Sequence, residues 1–398
     1  MILHEFPPMG VYQTLFRFAD ATDHYLGDAG TKPWAQGYPM TSPVPDGPSI
    51  PSSVSFTSDD LRYPQAAGHF ELRQALVDYY REFYGASLDI DNIAIFAGGR
   101  PGIHAILSLL LDDVTVTIEE TEYTPYYDAL HLLGRAHQIV ESRIENQFRP
   151  TMEDHISVAK GVDRAFLVKS NPCNPTGVTW TGDQLRELVS FFTESNRGAL
   201  IDEAYEFFHT PEPESVLRYI EDIDKTNLFV VGAATKGLQV PGMRVGWVVA
   251  SKKHVELFRN FSSIAMGGVS RPAQLYVTQL LELDRVGHAR SAVSTYFAAQ
   301  RERYGELLDQ FGFKLFTGTG GFYHWGIIPE GLTADQLNER LFPENAAILP
   351  GRLCDMYRRD SGPHDRLARF SFGPLSPESY NEDRKILSRA LHAELTTE

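Results

Sequence analysis

Five short stretches carry side chains suited to chemistry. Ser170-Asn171-Pro172-Cys173-Asn174-Pro175-Thr176-Gly177 closes one apolar run, Ile201-Asp202-Glu203-Ala204-Tyr205 closes the next, and Ala233-Ala234-Thr235-Lys236 closes a third. Arg244 stands eight residues beyond Lys236, in Pro241-Gly242-Met243-Arg244-Val245-Gly246-Trp247. Asn, Pro and Gly are turn residues for backbone reasons, so the first stretch reads equally well as a β-turn. A carboxylate at a buried strand end is costly unless it meets a cation or several donors. Asp202 therefore wants a partner, and a protonated ring nitrogen would serve. A lone lysine is ordinarily a surface cation, but Lys236 lies between a strand end and a glycine-bearing loop, where the mouth of a site would be. Ala97-Gly98-Gly99-Arg100-Pro101-Gly102-Ile103 follows another apolar run and opens an apolar helix. That is either a plain βα turn or a place where backbone amides hold an anion.

The elements that must position these residues are short and continuous in their apolarity. Ile93–Phe96, Val114–Ile118, Ala165–Val168, Ala199–Ile201, Leu228–Val231 and Val245–Val249 alternate with helical patterns. Unbroken apolar runs suit strands buried on both faces, which predicts an α/β layered sheet with ligands beyond the carboxyl ends of its strands. Residues 39–51 hold five prolines and read as an extended linker. From Asp284 to Gln310 the spacing of Val286, Ala289, Val293, Tyr296 and Phe297 predicts one long helix. A smaller α/β region follows, with strands expected at Gly320–Trp325 and Leu367–Phe372.

Composition narrows the function. The 36 basic and 52 acidic residues leave a net charge of −16, which disfavours nucleic acid and anionic membranes as partners. Two cysteines without CxxC spacing are too few for a disulfide framework or a zinc site, and a reducing compartment follows. Met1-Ile2-Leu3-His4-Glu5 lacks a basic segment before an apolar core, so no signal peptide is expected, and the expected location is the cytoplasm. The thirteen histidines form no ligand cluster on one helix face, so no metal is expected; His104, His209 and His324 read as packed or solvated. The glycine loop is not GxGxxG, which counts against a nicotinamide enzyme.

The ordered set of Asn174-Pro-Thr-Gly, Asp202-Glu-Ala-Tyr 28 residues on, and Thr235-Lys236 with Arg244 resembles fold type I pyridoxal-phosphate enzymes. The resemblance is specifically to the class I/II aminotransferases. It implies a mostly parallel seven-stranded large domain over 52–283, and a smaller α/β domain built from 1–51 plus 284–398. It implies that Lys236 is the Schiff-base lysine and moves the α-proton, and that Asp202 keeps the pyridine nitrogen protonated. Asn174 and Tyr205 match the pair that hydrogen-bonds the ring's phenolic oxygen, and Arg244 matches the phosphate arginine. The amides of Gly99 and Arg100 are expected on the phosphate, and Tyr123 over the ring face. Arg369, in Ala368-Arg369-Phe370, is the expected grip on the substrate α-carboxylate, and Gly30 belongs to the segment expected to close over substrate.

Tyr63, in Tyr63-Pro64-Gln65, resembles the tyrosine that reaches a neighbouring subunit's phosphate, which implies a homodimer with composite sites. Relatives often carry a serine where Ala233 stands; Thr235 is the expected substitute donor. Arg271 is a candidate for an acidic substrate side chain and equally for an interface or surface ion pair. Tyr12, Phe16 and Trp34 either line the substrate pocket or pack the small domain. The implied reaction moves an amino group between an L-amino acid and a 2-oxo acid. Elimination, cyclisation or oxidation of an amino acid on the same cofactor is the alternative.

Overall fold

The computed structural model describes residue 2 and residues 10–359 and 361–392. All of Met1–Glu5 except Ile2, the stretch read for a leader, lies outside the described residues. A seven-stranded sheet forms the centre: β1 (Ile93–Phe96), β2 (Thr115–Glu119), β3 (His137–Val140), β4 (Ala165–Ser170), β5 (Arg197–Asp202), β6 (Leu228–Ala233) and β7 (Gly246–Val249), in the order β1-β7-β6-β5-β4-β2-β3. Strand β7 runs antiparallel to both its neighbours, and the pairs β2–β3, β2–β4, β4–β5 and β5–β6 are parallel. Every residue of β4 and β6 is buried, as continuous apolar runs covered on both faces require.

Among the described residues, nine α-helices precede the second sheet: α1 (Tyr12–Thr22), α2 (Phe70–Tyr84), α3 (Gly99–Leu109), α4 (Thr124–Leu132), α5 (Met152–Lys160), α6 (Asp183–Phe192), α7 (Lys252–Ala265), α8 (Arg271–Leu280) and α9 (Leu283–Gln310). The last is the expected long helix, one residue longer at its start. Beyond it a four-stranded antiparallel sheet contains β8 (Lys314–Leu315), β9 (Tyr323–Ile327), β10 (Leu349–Pro350) and β11 (Leu367–Ser371) in the order β10-β11-β9-β8.

One hydrophobic core runs from Leu76 on α2 and Val230 on β6 through Phe297 on α9 to Phe370 on β11, so the two sheets share packing. Residues 39–51 form no regular element, in keeping with their prolines. Trp34 is fully buried against Phe370, with ring centroids 5.0 Å apart, while Phe16 is about half exposed. Trp34 therefore packs the small domain, and neither residue lines the cavity described below. Among the described residues no helix is long and apolar enough to cross a membrane.

Candidate active site

The carboxyl ends of β4, β5 and β6 and the start of α3 converge on one cavity of about 380 Å³. It is lined by Gly99, Arg100, Tyr123, Asn174, Asp202, Tyr205, Thr235, Lys236 and Arg244, together with Tyr12 and Ser170. A cavity of the same volume at the opposite strand ends is walled by Leu109, Leu111, Phe258 and their neighbours, and no carboxylate or lysine lines it.

Lys236 leaves the end of β6 and donates from Nζ to the carbonyl of Gly37. Burial pushes its amine down to about 7, Arg100 and Arg369 push the same way, Asp202 opposes them, and Arg244 adds a smaller effect. Asp202, at the end of β5, is buried and accepts from the Tyr126 hydroxyl at 2.8 Å and the Ala204 amide at 3.0 Å. Burial raises its carboxyl above the ordinary range even so. Tyr123 caps α4; its hydroxyl accepts from Arg100 Nε at 2.8 Å, and its ring meets Tyr126 edge-on at 5.2 Å.

Arg369, in the middle of β11, is 4 % exposed. Its Nη1 donates to Asn174 Oδ1 at 2.8 Å and its Nη2 to the Ala35 carbonyl at 2.6 Å, which leaves its buried Nε without a partner. Among the described residues it faces no carboxylate. A buried planar cation with an unused donor is a site for an anion with two oxygens. Since Asn174 accepts from Arg369 through Oδ1, its Nδ2 is left for the cavity.

Anion-binding geometry recurs at the other end. Gly98 has φ near 100°, and a Cβ there would sit 2.4 Å from Arg244 Nη2, so only glycine lets the guanidinium lie on this turn. Arg244 donates to the carbonyls of Pro241 (2.9 Å) and Ala97 (3.4 Å) and also meets no carboxylate among the described residues. The start of α3 opens beside it with the amides of Gly99 and Arg100. A phosphate at Arg244 and α3, a protonated ring nitrogen at Asp202, a phenolic oxygen at Asn174 and Tyr205 and an aldehyde at Lys236 each find a matching group. The donor set fits pyridoxal phosphate.

Two expected residues do not line the chain's own cavity. Gly30 is exposed with nothing within 4 Å of where its Cβ would be, and it does not line the cavity. Further along the same arm, the Gly37 carbonyl accepts from Lys236, and a Cβ at Gly37 would lie 2.5 Å from Tyr323 Oη, so the arm approaches too closely there for any side chain. The isolated bridge Lys32↔Ala346 ties this arm to the small domain. Tyr63 is 95 % exposed and outside its own chain's cavity. Arg271 pairs with Asp60 at 2.5 Å, the ion-pair reading of that residue.

Sequence reasoning missed Gly37, Ala35, Tyr126, Tyr323 and Glu122. Tyr126 follows Tyr123 by three residues on α4, a helical spacing that could have flagged it. Glu122 accepts from the Tyr123 amide (2.7 Å), the Ser170 amide (2.9 Å) and Ser170 Oγ (2.7 Å), and Ser170 Oγ accepts from the Asn174 amide at 3.0 Å. One carboxylate thus braces both Tyr123 and Asn174. Away from the cavity, Glu120, Asp355 and His364 approach one another as metal ligands would. Arg143 and Arg359 already pair with these carboxylates, which neutralises the cluster. His209 and His324 are buried, as packed histidines.

The family profile "Aminotransferase class I and II" matches residues 51–380. Aspartate aminotransferase of Thermotoga maritima is 25 % identical over 284 residues, 71 % of this chain and 73 % of that one. LL-diaminopimelate aminotransferase of Natranaerobius thermophilus is 24 % identical over 334 residues, 82 % of each chain. The structure of aspartate aminotransferase from Thermus thermophilus with maleate superposes with a TM-score of 0.78 at 20 % identity, covering 96 % of this chain and 97 % of that one. The chain belongs to the class I and II aminotransferases, and it is a pyridoxal-phosphate-dependent enzyme of the fold type I architecture.

Proposed function

We propose that this class I/II aminotransferase exchanges an amino group between an L-amino acid with an acidic side chain and a 2-oxo acid, with Lys236 as its proton carrier. One observation carries the assignment: a lysine amine with a proton affinity near neutrality shares with a buried aspartate a cavity lined by Arg100 and Arg244, with Arg369 behind Asn174, and none of the three arginines has a carboxylate partner among the described residues. Pyridoxal phosphate, when bound, supplies an aldehyde that condenses with amines and a ring that accepts the electrons of the Cα–H bond. Lys236 would anchor that aldehyde and, once freed as an amine, would carry the proton taken from the substrate Cα. Asp202, fixed by Tyr126 and the Ala204 amide, would keep the ring nitrogen protonated. Asn174 Nδ2 and the Tyr205 hydroxyl would donate to the phenolic oxygen, Tyr123 would cover the ring, and Arg244 with the Gly99 and Arg100 amides would hold the phosphate. Thr235 lines the cavity beside Lys236 and supports the same phosphate.

Arg369 fixes the α-carboxylate through its unused Nε and displaced Nη donors. The Arg100 side chain, anchored on Tyr123, is the remaining cation for a distal carboxylate, which is the support for an acidic substrate. Tyr63, exposed and outside its own cavity, supports a homodimer in which it reaches the neighbouring phosphate. Both cysteines are free and buried, which supports a reducing, cytoplasmic location.

Lys236→Ala should abolish both the visible absorbance of the loaded enzyme and transamination. Unchanged absorbance in that variant would overturn the role of Lys236. Turnover of aspartate or glutamate no faster than that of alanine or tyrosine would overturn the acidic-substrate assignment.

A further inference from the structure

Tyr323 lies on β9 of the small sheet, is fully buried and does not line the cavity, yet its hydroxyl meets that of Tyr205. One hydroxyl donates and the other accepts, and their surroundings decide which. Tyr323 Oη has no other hydrogen-bond partner among the described residues, and the Gly37 backbone crowds it, with a Cβ at Gly37 falling 2.5 Å away. A buried O–H left unpaired is costly, so this proton needs Tyr205 as its acceptor. Tyr205 has an alternative, because it lines the cavity and can point its own proton there. The Arg369 guanidinium adds a second bias. It lies 4.3 Å from the centroid of the Tyr323 ring, where a cation draws electron density from the ring and makes its hydroxyl the better donor.

We propose that Tyr323 is a positioning residue: it donates to the Tyr205 oxygen and so directs the Tyr205 proton into the cavity, toward the phenolic oxygen of the cofactor. The inference rests on the site reading above and extends it. Donation into Tyr205 polarises its O–H and strengthens what it gives onward. Arg369 then touches both donors to that oxygen, Asn174 by a hydrogen bond and Tyr205 through Tyr323. A substrate carboxylate that occupies Arg369 is therefore sensed at the cofactor oxygen from two sides.

The test is the pH midpoint of the visible absorbance in loaded wild type, Tyr323→Phe, Tyr205→Phe and the double variant. Lys236 is faced by Arg100, Arg369, Asp202 and Arg244, and Tyr205 by Tyr323, Tyr123 and Arg369; apart from Tyr323 and Tyr205 themselves, the variants leave all of these in place. Tyr205 donation stabilises negative charge on the phenolic oxygen and lowers the proton affinity of the chromophore. Losing the Tyr323 proton should raise the midpoint by about 0.5 pH unit, roughly threefold in the equilibrium. The double variant should match Tyr205→Phe alone, because Tyr323 acts through Tyr205. An unchanged or lowered midpoint in Tyr323→Phe, or additive shifts in the double variant, would overturn the proposal. Wild type without any visible band would remove the cofactor reading and the role of Tyr323 together. A normal band with a flat midpoint removes the role of Tyr323 alone.

Discussion

A lysine that serves as nucleophile and base must be neutral at working pH, and the structure states how Lys236 gets there. Burial is the largest cause, Arg100 and Arg369 follow, and Asp202 opposes them, leaving the amine at about 7. In the cofactor-free protein at pH 7, half of Lys236 is then neutral, whereas a lysine at the ordinary pKa of about 10.4 is neutral in roughly one molecule in 2,500. That is about a thousandfold in reactive fraction. Trace acetylation across pH 5 to 10, with the label at each lysine read by peptide mass spectrometry, measures it directly. Label at Lys236 should rise with pH and level off above about 8. Lys225, exposed and held above its ordinary value by Asp222, should rise about tenfold per pH unit throughout. Steric shielding changes the height of the Lys236 curve and not its bend. Removing one neighbouring charge should move the bend by on the order of one pH unit, upward in Arg100→Gln and downward in Asp202→Asn. A wild-type curve that climbs in parallel with Lys225 to pH 9 would refute the electrostatic account, and so would shifts of the same sign in the two variants.

Two further substitutions probe the frame around the lysine. Arg369→Lys keeps the charge but loses the planar fork, so kcat/KM for amino acids should fall about tenfold to a hundredfold; steady-state kinetics with an unchanged kcat/KM would disprove carboxylate binding there. Arg290 on α9 donates to Glu206, Tyr79 and Tyr84 at 2.5–2.7 Å, tying the helix between the sheets to the residue after Tyr205. Arg290→Met leaves Glu206 buried and unpaired and should cost about 3–5 kcal/mol in urea unfolding, most of it recovered in Glu206→Gln/Arg290→Met. A cost below about 1 kcal/mol would show that the tyrosine hydroxyls suffice.

The strands legible in the sequence were those buried on both faces, because two-sided burial writes an unbroken apolar run. Edge strand β3 has one buried residue among four, and β8 and β10 are two residues long; none leaves such a run. The residues at strand ends were legible for a related reason, since parallel strands bring their carboxyl ends to one place whatever the loops do. The N-terminal arm was not, as no regular element runs through residues 30–37; Gly30 is exposed, while the Gly37 carbonyl accepts from Lys236. Tyr323 reaches Tyr205 across 118 residues and from another sheet, a contact that no local pattern encodes.

The site's strongest mark lies in which charges are matched, a property that composition does not carry. Lys169 is buried against Glu119 and Arg290 against Glu206, the half-buried Arg358 pairs with Asp128, and Arg301 rests on the carbonyls of Phe208 and Gly321. Desolvating a charge is costly without such a partner. Arg369 is as buried as these and has none among the described residues; Arg100 and Arg244, at the exposed mouth of the cavity, have none either, and all three depress the proton affinity of one lysine. Cations left unmatched in an acidic protein are held ready for anions from outside. A cofactor phosphate would take one of them, and the two carboxylates of the acidic substrate proposed above would take the other two.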